Sequence, residues 1–347
     1  MIRSTTAILS VALFVSLARP LPALTPPPTP PGGRVFIFSC TVMFATKSSG
    51  SSETRPGFGE DRASRSEVSV LREFNISGQD SSAYQRMTDR ICADAPAELA
   101  AAGYEVVSEG VQDHYAYKRS LGSGQASPQR QGRSGTSYLV FAPSGQPIMD
   151  EFVVGATGAA GLMWGYATTG KKLGANPVSL LYAVDFASID EARTRRGAGQ
   201  NTASVKANLE VSVGLTVTNY DVSDARCSVG SPFGEYRNME FCGLRRSQLD
   251  RAYSLPDTAE RRTKDPIVNV EETTGAAAVG TAAFNAAMTV LRMGGGGGGG
   301  TINFKRFAVT VDPAKYETAA IEGARGLIAP AMTWINDPAS RPRRGRR

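Results

Sequence analysis

Histidine is almost missing from this chain: His114 is the only one among 347 residues. Cysteine is scarce as well. Cys40, Cys92, Cys227 and Cys242 stand far apart, with no close pair of the kind that opens a zinc site. Together these two shortages leave no basis for a structural metal centre. A serine-hydrolase centre lacks its signature too, because no Gly-x-Ser-x-Gly elbow is present. His114, in the stretch QDHYAY at 112–117, therefore reads as a surface histidine beside Asp113. Seven glycines run from 294 to 300 with no Gly-Lys-Ser/Thr behind them, so they form a connector and not a phosphate loop. Aromatic residues make up 8% of the chain. Tyr115, Tyr117 and Tyr138 suit a core or a hydrogen-bonded surface better than a platform for stacking bases.

The formal net charge is +6, but its placement removes most of its meaning. The tail RPRRGRR at 341–347 carries five arginines, and Arg3 and Arg19 lie near the start. Taking these seven from 38 basic residues leaves 31 against 32 acidic ones. The body is thus near neutral, which argues against a nucleic-acid partner, while the tail can touch an anionic membrane surface by counterion release. Arg3 followed by the apolar run AILSVALFVSL at 7–17 has the form of a secretory signal. That run is shorter than the ~20 residues a spanning helix needs. We read residues 1–23 as a signal peptide and 24–33 as a proline-rich spacer. Residues 34–336 form a single α/β domain with glycine-rich loops at 121–136 and 294–300. Residues 337–347 form a basic, disordered tail. In an exported chain the four cysteines allow two disulfides in three connectivities, and Cys227 with Cys242 is the favoured pair.

Periodicity supplies the elements. Residues 35–46, VFIFSCTVMFAT, predict a first strand, followed by a polar loop over 48–66. Tyr84, Met87, Ile91, Ala95 and Leu99 recur at helical spacing and predict a helix over 83–102, which Ser81 or Ser82 can cap and Gly103 ends. A strand at 104–108, a short helix at 111–120 and a mobile loop at 121–136 follow. Residues 137–142 and 148–154 predict strands, residues 159–172 a helix, and residues 178–189 another strand. Residues 204–219 alternate strictly between apolar and polar, the pattern of an antiparallel strand with one dry and one wet face. Short strands are expected at 235–242 and 267–272, a helix at 274–292 and a strand at 301–311. Asp312-Pro313 opens a last helix that runs to about 335 with Tyr316, Ala320, Leu327 and Ala331 on one side. The fold class is α/β (α+β): a mixed, mostly antiparallel sheet with helices 83–102, 274–292 and 313–335 mainly on one face.

The stretch VVGATGAAG at 153–161 poses the sharpest chemical question. A strand, then Gly155, Gly158 and Gly161, a helix, and a second strand ending in Asp185 would match the order of a dinucleotide site. It is similar to the glycine turn of atypical short-chain reductases. The site begins in mid-chain, however, and no Tyr-x-x-x-Lys pair accompanies it: Tyr166 and Lys171 are one residue too far apart. We therefore expect a glycine-rich strand-to-helix turn and no cofactor. NAD(P) binding through Gly155, Gly158, Gly161 and Asp185 is kept as the alternative. If 178–189 and 204–219 form a hairpin, Asp185 lies near Lys206 or Asn208, a cross-strand polar pair. A third possibility is that this hairpin enters a membrane, since sixteen alternating residues exceed the 9–11 a bilayer strand needs.

The strand from Arg34, the stretch AYQRMTDRICADAPAELAAAGYEVVSE at 83–109 and its Gly103-Tyr104-Glu105-Val106-Val107 ending are similar in layout to the first domain of certain envelope proteins. These are the curli-secretion lipoproteins and the TolB N-terminal domain. The resemblance covers about half the chain. It implies a non-catalytic protein of the periplasm or outer membrane that acts by binding a protein partner or by self-association.

Overall fold

A computed structural model describes residues 33–53, 68–133, 135–195, 201–223, 225–229, 240–243, 249–254, 263–273 and 301–337. The leader at 1–23, all of the 24–33 spacer but Gly33, the helix at 274–292 and the glycines at 294–300 lie outside these residues. So does the tail beyond Asp337.

In chain order the first half is β1 (Arg34–Glu53), β2 (Val68–Ser77), α1 (Ser81–Ala101), β3 (Glu105–Val106), α2 (Tyr115–Leu121), β4 (Gln129–Arg133), β5 (Thr136–Phe141) and α3 (Glu151–Leu173). The second half is β6 (Asn176–Arg195), β7 (Asn201–Tyr220), β8 (Arg226–Val229), β9 (Glu240–Gly243), β10 (Leu249–Ser254), β11 (Ile267–Glu272), β12 (Thr301–Val311), α4 (Pro313–Ala324) and α5 (Ile328–Asn336). The sheet is mixed and mostly antiparallel, ordered β10-β7-β6-β1-β2-β12-β11, with β3 and β5 on β1 and β4 on β5. Only β1–β3, β1–β6 and β2–β12 are parallel pairs among the described strands.

Several local expectations are corrected. The polar loop at 48–66 begins late, because β1 continues to Glu53 and pairs with β2 over Lys47 to Glu53. The loop at 121–136 contains β4, held against β5. No strand spans 148–154: Ile148 makes one isolated bridge with Gln125, and Glu151 already starts α3. The last helix is two helices, broken where Gly326 takes φ 67°, a left-handed conformation that glycine adopts without a Cβ clash. The Asp312 side chain accepts from the Lys315 N–H, with Pro313 at the first helical position as expected.

Apolar side chains fill both faces of the sheet. On one face α1, α4 and α5 cover Val42, Phe44, Leu180, Tyr182, Val213 and Leu215. On the other, α2 and α3 cover Phe36, Phe38 and Tyr220. Beyond them Met43, Phe74, Tyr138, Leu181 and Phe186 close on one another.

Two bulges redirect the stripes that the sequence displays. In β1 the register against β6 jumps between Ile37 and Ser39. Phe36 and Phe38 therefore face α3, whereas Cys40, Val42 and Phe44 face α1. In the β6–β7 pair, Asp185 lies opposite Ser212 and Ala187 opposite Leu209, so Glu210 and Val211 together oppose Phe186. Ala207 and Leu209 then join one core, and Val211, Val213, Leu215 and Val217 the other. The expected wet face is correspondingly dry in places: Glu210, Ser212 and Thr218 are buried.

Candidate functional site

The glycines of VVGATGAAG lie inside α3, not on a turn after a strand. Asp150 caps the helix by accepting from the Phe152 N–H, and the EFVV segment forms its first turn. Gly155 has φ 72° and kinks the helix. Gly158, Gly161 and Gly165 then recur at helical spacing along the side that meets α2. A Cβ built on Gly161 would stand 2.3 Å from Ser123 Oγ, and one on Gly165 only 1.6 Å from Ser120 Oγ and 3.0 Å from the Ala116 carbonyl. These residues are small because α2 and the residues just after it approach that closely. Gly165→Val is expected to lower stability by about 1–3 kcal/mol through overpacking. Gly132→Ala, where a new Cβ meets nothing within 4 Å, should stay within about 0.5 kcal/mol. Urea denaturation of both variants checks the contrast.

Asp185 projects from β6 beside the second bulge. The hairpin is antiparallel, as expected, but Asp185 is not paired with Lys206 or Asn208. Its register partner is Ser212, while Lys206 stands opposite Asp190 and Asn208 opposite Ser188, because the register runs further along β7 than simple alternation indicates. The polar partner comes instead from β5: the Tyr138 hydroxyl donates to Asp185 Oδ1 at 2.8 Å. The residue keeps some exposed area, but its carboxyl group is enclosed by protein, and the group's own surroundings govern its titration. Burial drives that pKa up to about 6, against the opposing effects of the Tyr138 bond and the Arg133 charge. Burial and the Asp185 charge in turn push the Tyr138 hydroxyl well above its ordinary value. No second carboxyl group or imidazole joins this pair among the described residues, so its arrangement is that of a satisfied interior acid.

His114 does more than sit on the surface. It caps α2, with Nδ1 accepting from the Ala116 N–H at 3.3 Å and lying 3.2 Å from Thr169 Oγ1. Burial, then the Lys172 charge, lower its pKa, which favours the neutral ring that this acceptor role requires.

All four cysteines are oxidised. Cys227–Cys242 forms as expected, across the directly opposed residues of β8 and β9. This small ribbon docks on α3 through the Cys242 N–H to Thr168 Oγ1 and through Phe241 against Trp164. Cys40–Cys92 joins β1 to α1. It depends on the first bulge, which turns Cys40 toward the helix. Cys227, Glu240 and Cys242 would bring three metal-binding side chains together, but the disulfide occupies both sulfurs.

A cleft of about 360 Å³ opens beside the Cys40–Cys92 bridge, floored by residues 37–40 of β1. Nothing in the sequence marks it, since its walls come from α1, the segment after β3, α2 and the turn at 143–146. No family model matches the chain, and neither a curated protein nor a solved structure matches it.

Proposed function

We propose that this chain is an exported cell-envelope protein, periplasmic or associated with the outer membrane, that acts without catalysis through protein contacts or self-association. The carrying observation is the pair of disulfides, which consumes every cysteine of the chain. Such bonds form and persist in oxidising compartments and are rare where glutathione keeps thiols reduced. The β1–α1–β3 arrangement adds support: α1 ends at Ala101 with Gly103 just beyond its cap, and Glu105–Val106 pairs in parallel with the start of β1, the layout on which the envelope resemblance rests. Among the described residues no helix is long and apolar enough to cross a membrane.

Fractionation of cells expressing the native gene, with N-terminal sequencing of the recovered protein, tests this reading. The expected result is a mature chain beginning near residue 24 outside the inner membrane. A full-length chain in the cytosol would contradict it. A second check concerns the nucleotide alternative. The glycines at 158 and 161 face α2 and its flank, so calorimetric titration with NADPH should give no saturable heat, whereas micromolar binding would revive that reading.

A further inference from the structure

One edge of β1 is interrupted. On the first edge, β6 pairs with β1 as far as Phe44, and β2 continues from Lys47 to Glu53. On the second edge, β3 pairs with Arg34 and Val35, and β5 begins only at Val42. Among the described residues, no strand pairs with this edge over 36–41, a span of about 20 Å in extended chain. Main-chain donors and acceptors directed to that side are the groups that a strand addition satisfies.

The cleft lies over this interruption. Ile37 and Ser39 belong to its floor, with Val107, Val111 and Tyr117 on one side and Pro96 on the other. Among the described residues, none that lines it carries a charge. Ser39 is 4% exposed, and its Oγ has no hydrogen-bond partner among the described residues. A buried hydroxyl left unpaired is costly, and here it borders an open space.

We propose that this cleft receives an extended, uncharged peptide segment of a partner protein, added as a short strand to β1 between β3 and β5. The inference rests on the interaction reading above and deepens it by naming the surface and the chemistry of the partner. A hydrocarbon chain would fill the apolar walls but leave the main-chain edge and Ser39 unsatisfied. An anionic ligand would find no cation in the lining. A peptide with apolar and small polar residues in alternation meets both demands: its backbone completes the ladder, and alternate side chains meet the apolar walls.

The probe is an N-acetylated, C-amidated heptapeptide of alternating threonine and valine, added to the full-length oxidised protein. Three measurements define the outcome: affinity by isothermal titration calorimetry, the same for a peptide N-methylated at alternate amides, and hydrogen exchange across 36–41. The expected results are saturable binding, at least 10-fold loss on N-methylation, and slowed exchange at 36–41 in the complex. Ser39→Ala should weaken binding about 5-fold while leaving the fold intact, since it removes only an unpaired hydroxyl. Equal affinity for the N-methylated peptide, unchanged exchange at 36–41, or no binding at millimolar concentration would overturn the proposal. Such a failure is separable from failure of the export reading, which fractionation decides without any peptide.

Discussion

Replacing Cys40 and Cys92 together by alanine should lower the unfolding free energy by about 4 kcal/mol. The bridge closes a loop with a sequence separation of 52 residues, and removing such a constraint from the unfolded chain costs about that much in the chain-entropy account. Against a total stability of about 5–15 kcal/mol, this is a large fraction. The loss should be greater than for the Cys227–Cys242 pair, whose separation is 15 and whose contribution is about 3 kcal/mol. It should also be more widespread, because Cys40–Cys92 ties the central strand to α1, whereas the second bridge secures a two-stranded ribbon at the edge of α3. Urea denaturation of the two double variants and the parent, all without reductant, measures both. A Cys40/Cys92 loss below about 1 kcal/mol would mean that α1 docks on β1 without help from the bridge.

The second large effect belongs to Asp185. Its folded pKa, about 6, lies above the ordinary aspartate value of 3.8. The folded state therefore binds more protons than the unfolded state between those values, and unfolding free energy falls as pH rises through that window. The stabilising contribution of the protonated acid is fully present below about pH 4 and is lost by about pH 7. Ionisation of this one enclosed carboxyl then costs about 3 kcal/mol at neutral pH. Asp185→Asn keeps an acceptor for the Tyr138 hydroxyl and removes the titration. It should raise stability at pH 7.5 by up to about 3 kcal/mol, with little gain at pH 4. Glu73 and Asp89 titrate in the opposite sense. Burial pushes each up, but hydrogen bonds from Asn75 and Arg306 to Glu73, aided by the Lys47 and Arg306 charges, and from Ser144 and Gln85 to Asp89, bring both below the ordinary range. Because these groups are common to both proteins, the difference between variant and parent isolates Asp185. A difference that stays flat from pH 4 to 7.5 would show that the carboxyl ionises in the fold at no cost.

The elements that could be read from the sequence are those whose pattern is settled within the element itself. Helix α1 is legible because Tyr84, Met87, Ile91, Ala95 and Leu99 all face one core, and the Asp312-Pro313 start is legible because cap and first turn are local. The 178–219 hairpin is legible through its length and alternation. Strand β2 carries a signal in VSVLREFNIS, where Val68, Val70, Phe74 and Ile76 share a parity, but the polar stretch before it gives the segment the look of a continuing loop. The two bulges left no such trace. An apolar stripe of constant parity is the same in sequence whether it serves one core or passes from one to another, as in β1 at Phe38 and in β7 at Glu210–Val211.

The site residues divide in the same way. Gly158 and Gly161 suggested a phosphate loop because closeness to a nucleotide and closeness to a helix both call for a missing Cβ. Only the neighbour decides between them, and the neighbour here is α2 with the segment after it. Asp185 found its partner on β5, 47 positions earlier, a pairing that no local spacing encodes. The cleft was illegible for the same reason, since it is an interval between two strands that happen to border the same edge.

Where these cysteines become oxidised decides most directly whether the protein is exported. Intact cells expressing the native gene can be quenched in acid, the protein alkylated with a mass-tagged maleimide, and its mobility compared with and without prior reduction. An exported, fully oxidised protein takes no tag before reduction and four tags after it, on the chain that fractionates outside the inner membrane. Four tags before reduction, on a chain that is nonetheless folded, would contradict export.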